Sequence, residues 1–282
     1  MATVAIFGAG DIGGGCAHAL AGADGVDHIV VIDAAAHVAA GKALDIQQAG
    51  AISGFHTRLE GTADETRAIG CAACVVADRF ASGSPEWRGE EGLALVKRIA
   101  SFAPGVPIVF AGASQTDLLA AAAIEARIAA PLLIGSATEA LASAAIAIAA
   151  MEAGCSPSEM SLAVLGAPPA SFVVPWSDAA IGGFALERIV SQVQLRRIEA
   201  RVAKLWPPGP HALGSAAASV VRGIIGASRR SFDIQTLLGG EFGARGRVGA
   251  VPAMLTSAGI AQTRIPSLNT RERVLLETAL GI

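Results

Sequence analysis

Three glycines and one aspartate have a spacing that points to a particular chemistry. Gly8, Gly10 and Gly13 form a G-x-G-x-x-G run directly after the short apolar stretch "TVAIF". Asp33 closes a second apolar stretch, "HIVVID", some twenty residues after Gly13. In such a run the first glycine permits a tight turn. The second lets another group approach the backbone closely, and the third lets the following helix pack on the strand. Amides near Asp11 and Ile12 then lie at a helix N-terminus and suit the charge of a pyrophosphate. A carboxylate at Asp33 accepts hydrogen bonds from ribose hydroxyls and repels a 2′-phosphate, so the pattern favours NAD over NADP. The competing reading is a glycine-rich turn with no ligand, and the strand–turn–helix context argues against it.

The elements around these residues alternate. "TVAIF", "HIVVID", "CAACVVAD" and "PIVFAGA" read as buried strands, each an apolar run stopped by small or polar residues. Helical stretches lie between them. "AAAHVAAGKALDIQQAG" is expected to stop at Gly50, and "GEEGLALVKRIASF" is another. Strands alternating with helices over the first 130 or so residues imply a parallel, doubly wound α/β sheet. The second half is less regular. "ATEALASAAIAIAAMEAG" reads as a long buried helix, "MSLAVLG" and "FVVPWS" as strands around Pro168 and Pro169, and "ALERIVSQVQLRRIEARVAKLW" as one amphipathic helix. "WPPGPHALGS" reads as a loop before the helix "ASVVRGIIGA". "SFDIQTLLGGEFG" and "GRVGAVPAMLTSAGI" read as antiparallel strands, and Asn269 as the N-cap of a last helix.

Bulk properties exclude several classes. A net charge of −3 and a pI near 6.0 give no basic footprint for nucleic acid. The longest apolar run, 140–151, is too short for a bilayer, which needs about 20 residues. No basic leader precedes the first apolar run, so the expectation is a cytoplasmic protein. Cys71 and Cys74 form a C-x-x-C pair, but no second ligand pair exists for zinc, and the expectation is a buried strand and no metal site. His18, His28, His37 and His56 read as surface or structural residues, and Arg222, Arg229 and Arg230 as a solvated helix end.

Several blocks together resemble the lactate/malate dehydrogenases over nearly the whole chain. They are "VAIFGAGDIGG", "IVVIDAAAHVAAGKALDIQQA", "GTADETRAIG", "LLIGSATEALASA", "VLGAPPASFVVPWSDAAIGG" and "LLGGEFGARGRVGAVPAML". The resemblance implies a Rossmann NAD-binding domain over 1–135, a C-terminal α+β substrate-type domain over 136–282, and a dimer or tetramer. It also implies hydride transfer between the nicotinamide and a 2-hydroxy or 2-oxo acid. In that chemistry a histidine moves the substrate proton and an aspartate orients it. One arginine clamps the substrate carboxylate, and a second polarises the carbonyl.

Placed on this chain residue by residue, the family's G-x-H-G-D block falls on "GAPPAS". Pro168 takes the histidine position and Ala170 the position of the aspartate after it, and a shift of one residue puts Pro169 at the histidine position instead. In the L-D-x-x-R block, Ala142 takes the aspartate position and Ala145 that of the clamp arginine. Arg88 matches the polarising arginine, and Arg79 is no clear match for the other loop arginine. The resemblance puts Ser114 or a neighbour in "AGASQTD" in the place of a strand-end asparagine, and Ser215 in that of a hydroxyl near the substrate. His211 and Asp178 are further candidates for polar groups near the substrate site.

Three function classes follow. The first is an NAD-binding pseudoenzyme of this family acting as a scaffold or sensor. The second is an active oxidoreductase on a less polar oxo or hydroxy compound, in a pocket lined by Ala142, Ala145 and Pro168. The third is an interaction module that binds no nucleotide.

Overall fold

The computed structural model describes residues 2–81 and 85–282. Strands β1 (Ala2–Phe7), β2 (Val26–Ile32), β3 (Arg58–Thr62), β4 (Ala73–Val76), β5 (Ile108–Phe110) and β6 (Leu133–Gly135) lie side by side in the order β3-β2-β1-β4-β5-β6. All five pairings between them are parallel. Most of their residues are buried, because helices cover both faces of the sheet. Helices α1 (Asp11–Ala21) and α2 (Ala36–Ser53) line one face. Helices α3 (Gly89–Phe102) and α4 (Thr116–Ile124) line the other. This is the Rossmann arrangement, with ligand space outside the carboxyl ends of the strands.

The sheet does not stop at β6. The chain continues through α5 (Ala137–Ala153), β7 (Met160–Ser161), β8 (Leu165–Ala167) and β9 (Ser171–Val173), then β10 (Ala180–Ile181) and β11 (Phe184–Ala185). Next come α6 (Leu186–Ile189), α7 (Gln192–Val202), α8 (Pro210–Ile225), β12 (Ser231–Gly239), β13 (Arg245–Thr256), β14 (Gly259–Thr263) and α9 (Thr270–Leu280). β12 joins β6 through the pair Gln235 and Gly135, and β13, β8 and β9 extend the sheet antiparallel. A small sheet of β11, β10 and β7 sits apart. α8 reaches back to lie against α1. An added Cβ at Gly214 would come within 2.8 Å of the Ile12 carbonyl oxygen, so only glycine permits this crossing.

Several expectations need correction. α2 does not stop at Gly50. It runs one turn further to Gly54, whose left-handed backbone caps it, and Gly50 lies within the helix against Phe55. The single amphipathic helix is two, because Ser191 forms a capping box with Gln194 and starts α7 afresh. "PHALGS" is not a loop. Pro210 opens α8, which suits proline at a first helical turn, so His211 and Ser215 stand on a helix. The stretch read as one strand after Gly246 folds back at residues 257–258 into β14.

Candidate functional site

The glycine turn is built as its sequence requires. Gly8 has a φ of +122°, and an added Cβ at Gly13 would come within 2.0 Å of the Gly8 carbonyl oxygen. α1 therefore crosses directly over the end of β1, with Gly10 as its extended N-cap. Gly10 offers no side chain for the first-turn amides. Asp78 does this instead, from the chain just past β4. Its carboxylate accepts the Ile12 N–H at 3.2 Å and the Gly13 N–H at 2.9 Å, and its carbonyl accepts the Gly10 N–H at 2.9 Å. Asp78 is 1% exposed. A Cβ on Gly10 would fall 2.3 Å from that carboxylate, so the room opened by glycine is filled by an anion. The amides on the anion are thus those of Ile12 and Gly13. The Asp11 side chain is largely exposed and lies 3.8 Å from Lys42 Nζ, which donates to the Gly10 carbonyl at 2.6 Å.

Asp33 stands where the spacing expects it, buried at the end of β2. Its Oδ2 accepts the Ala9 N–H at 2.8 Å and the Phe80 N–H at 3.0 Å, and its Oδ1 accepts the Ala35 N–H at 2.9 Å. The first bond ties Asp33 to the glycine turn and the second ties it to the segment after Asp78. That segment has a third anchor. The Glu86 carboxylate accepts the Ala113 and Ser114 N–H groups at 3.1 and 2.7 Å, past the end of β5. Gly112 leaves room for it, since a Cβ there would lie 2.3 Å from Glu86 Oε2. Arg79 lies 4.6 Å over the Trp87 ring and pairs with Glu91 at 2.7 Å. Arg88 is exposed at the N-cap of α3.

The residues that the resemblance sets against the family's acid, orienter and clamp are apolar or tied to backbone. Ala142 and Ala145 are 2% and 0% exposed, in a cluster with Leu141, Ala149, Leu195 and Ile198. α7 and the β7–β11 region close over α5 at Ala145, which leaves no room for a long polar side chain there. Pro168 is buried, and its carbonyl accepts Gln235 Nε2 at 3.1 Å and Thr116 Oγ1 at 3.3 Å. The Pro168–Pro169 bond is cis. Ala170 is exposed. A single pocket lined by Ala142, Ala145 and Pro168 does not form, because Ala145 is sealed in the core. Ala142 instead borders a cavity of about 960 Å³ shared with Ser215, and Asp178 stands exposed on the same wall. His211, one turn before Ser215, is exposed.

That cavity holds a cluster with no signal in the motif spacing. Arg230 is not part of a helix end. It precedes β12, pairs with Glu139 on α5 and lies 4.9 Å over the Phe232 ring. Glu139 also accepts the Asp233 N–H at 3.0 Å, and Asp233 Oδ1 accepts the Val164 N–H at 3.1 Å. Burial, then the charge of Glu139, push the Asp233 carboxyl up to about 8. Burial also raises Glu139, against the pull of Arg230. Cys71 and Cys74 are buried with their sulfurs 3.3 Å apart. Among the described residues no group of three His, Cys, Asp or Glu side chains could hold a metal ion.

A parallel six-strand order with a glycine turn and a buried acid at the second strand end defines a dinucleotide-binding protein of the Rossmann class. Residues 2–104 match the lactate/malate dehydrogenase NAD-binding domain. The malate dehydrogenase of Cytophaga hutchinsonii is 26% identical, over 98% of this chain and 94% of that one. The enzyme of Dehalococcoides mccartyi is 24% identical, over 99% and 96%. Among solved structures, the malate dehydrogenase of Salinibacter ruber superposes with a TM-score of 0.87 at 20% identity, over 99% of this chain and 94% of that one. A lactate dehydrogenase of Cryptosporidium parvum, complexed with lactic acid and nicotinamide adenine dinucleotide, gives 0.87 at 18%, over 99% and 95%. Residues 2–104 thus match the NAD-binding domain of lactate/malate dehydrogenases, the chain is similar to malate dehydrogenases over nearly its whole length, and its cofactor is NAD. The turn fits that cofactor. The Asp78 carboxylate is itself a stand-in anion on the amides of Ile12 and Gly13. Among the described residues, no helix is long and apolar enough to cross a membrane.

Proposed function

We propose that this chain is an NAD(H)-binding lactate/malate dehydrogenase relative that lacks the family's machinery for 2-hydroxy-acid hydride transfer, and that it serves as a scaffold or a sensor of nicotinamide state. Ala145, fully enclosed where the resemblance puts the clamp arginine, carries this reading. The amides of Ile12 and Gly13 would hold the pyrophosphate, and Asp33 the adenosine ribose. The nicotinamide, when bound, supplies a hydride acceptor or donor. The chain would have to supply a group to move the alcohol proton, and at that position stands Pro168, which has no titratable atom. Loss of such an acid/base costs about 10²–10⁴-fold. Without a carboxylate clamp the substrate also loses its orientation.

Ala142 keeps open the reading of an oxidoreductase on another substrate, since it borders a cavity. Glu139, Asp233 and Arg230 make that cavity polar, which suits an apolar carbonyl compound poorly. The halves 1–135 and 136–282 act as the nucleotide-binding and substrate-type parts. The working form is a homo-oligomer, and the strongly exposed Leu44 and Ile52 on α2 support it as an apolar contact face. The test is steady-state NADH oxidation with pyruvate, oxaloacetate and a panel of 2-oxo acids. Background rates are expected throughout, and turnover above about 1 s⁻¹, ordinary for an enzyme, would overturn the reading.

A further inference from the structure

We propose that Asp78 is a built-in competitor of NAD, holding the phosphate-binding turn in a self-occupied state that the cofactor must displace. The inference rests on the NAD groove and not on the loss of catalytic groups. Three observations carry it. First, the carboxylate sits on the two first-turn amides of α1, Ile12 and Gly13, which a pyrophosphate would use. Second, it fills the volume that Gly10 leaves by lacking a Cβ, with carboxylate atoms 2.3–2.6 Å from where that Cβ would stand. Third, the same segment reaches the next anchor, where the Phe80 N–H occupies Asp33 Oδ2. Asp33 Oδ1 is held by Ala35, so both of its oxygens already accept amides before a ribose arrives.

A carboxylate and a pyrophosphate cannot share these amides. They occupy the same volume and carry the same sign of charge, and at 1% exposure water screens them little. Binding therefore requires the Asp78 side chain to leave. The Asp78 carbonyl, which accepts the Gly10 N–H, can remain where it is. Two charge-assisted hydrogen bonds at a helix N-terminus favour the self-occupied form by about 10- to 100-fold. Apparent NAD affinity falls by the same factor, because only the open fraction binds.

Asp78 is also the helix cap of α1, so a purely structural role has to be separated from competition. Asp78→Asn keeps the shape and one acceptor oxygen but removes the charge. Titration calorimetry of wild type and Asp78→Asn with ADP-ribose, NADH and adenosine makes the distinction. Competition predicts ADP-ribose and NADH binding about 10- to 100-fold tighter in the variant, with adenosine unchanged because it carries no phosphate. A cap and nothing more predicts lower thermal stability with equal or weaker ADP-ribose binding, and that result overturns the proposal. An equal gain for adenosine overturns it too, since the effect would then lie at the ribose. Asp78→Ser, shorter and still an acceptor, gives the same reading if the asparagine variant does not fold. NADH binding to neither protein at millimolar ligand would remove the premise of an NAD groove as well. Equal binding to both would remove this proposal alone.

Discussion

The glycine turn and the 166–170 hairpin stand at two ends of one expected active centre, and the chain has treated them differently. At the turn the polar geometry is intact. Gly8, Gly10 and Gly13 take the conformations their spacing requires, Asp33 is buried and bonded, and the first-turn amides of Ile12 and Gly13 donate to the Asp78 carboxylate. At the hairpin no titratable side chain stands at Pro168. Pro168 presents only a backbone carbonyl, and Ala142 and Ala145 are packed among leucine and isoleucine. Nucleotide binding uses mainly backbone groups, which survive side-chain change. Proton transfer and carboxylate clamping use side-chain ends, which one substitution each removes. On the proposed reading, loss of all three together also avoids a lone buried charge, which is costly without its partner.

The comparison breaks most sharply if a charge can be returned to α5 at no cost. Ala145→Arg puts a group that cannot deprotonate into a fully enclosed apolar site. The expected loss is about 3–5 kcal/mol, read as the denaturant midpoint. A variant as stable as wild type would mean that α7 leaves room after all. At the other end, Asp33→Asn keeps the volume but cannot accept the three amides of Ala9, Ala35 and Phe80 as a carboxylate does. A loss of about 1–3 kcal/mol is expected, with weaker NADH binding. Unchanged stability and binding would show Asp33 to be dispensable.

Much of the nucleotide half was legible in the sequence, because apolar runs and glycine spacing are local signals. Strands β1, β2, β4 and β5, the turn and Asp33 all fall within short windows. β3 and β6 were missed, as "RLEGT" and "LIG" carry too little apolar contrast to read as strands alone. His211 and Ser215 were misread as loop residues because three prolines precede them, although Pro210 sits where a helix tolerates it. Asp78 and Glu86 were missed for a different reason, since each acts across the sheet rather than along the chain. One clue was available. β4 pairs with β1 in register, Phe7 beside Val76, so an acid two residues past Val76 must lie beside the glycine turn. The Glu139, Asp233 and Arg230 cluster joins α5 to β12, some ninety residues away, and no local pattern announces it.

That cluster gives a smaller effect with a definite sign. Native Asp233 keeps its proton up to about pH 8, held there first by burial and then by Glu139, while the unfolded chain releases it near the ordinary 3.8. Between these values the native state binds more protons, so this group's contribution makes the protein less stable as pH rises from 4 to 8. Raised Glu139 acts in the same direction. Asp233→Asn removes the first part of this slope. Relative to wild type it is expected to gain about 1–3 kcal/mol between pH 5 and pH 8.5, at about 2–4 °C of Tm per kcal/mol. A Tm difference that stays flat with pH would mean that Asp233 is ionised in the fold.

The smallest expected effect is the most direct test of the contrast between turn and hairpin. Pro168→His returns an imidazole to the family's proton-transfer position. If that histidine were the one missing part, a gain of about 10²–10⁴-fold would follow. No such gain is expected here. The resemblance sets Ala142 at its orienting aspartate and Ala145 at its substrate clamp, both within an apolar cluster, so on this proposal the imidazole would face neither a carboxylate nor a held substrate. Residues that act as one unit lose most of their effect with the first member removed, and by the same logic return little with one restored. NADH oxidation with pyruvate or oxaloacetate is therefore expected to stay within about tenfold of wild type. A larger rise would place a surviving carboxylate-binding group at the hairpin, with exposed Arg88 or His211 the first to substitute, and would move the line between kept and lost chemistry from α5 to Pro168 alone.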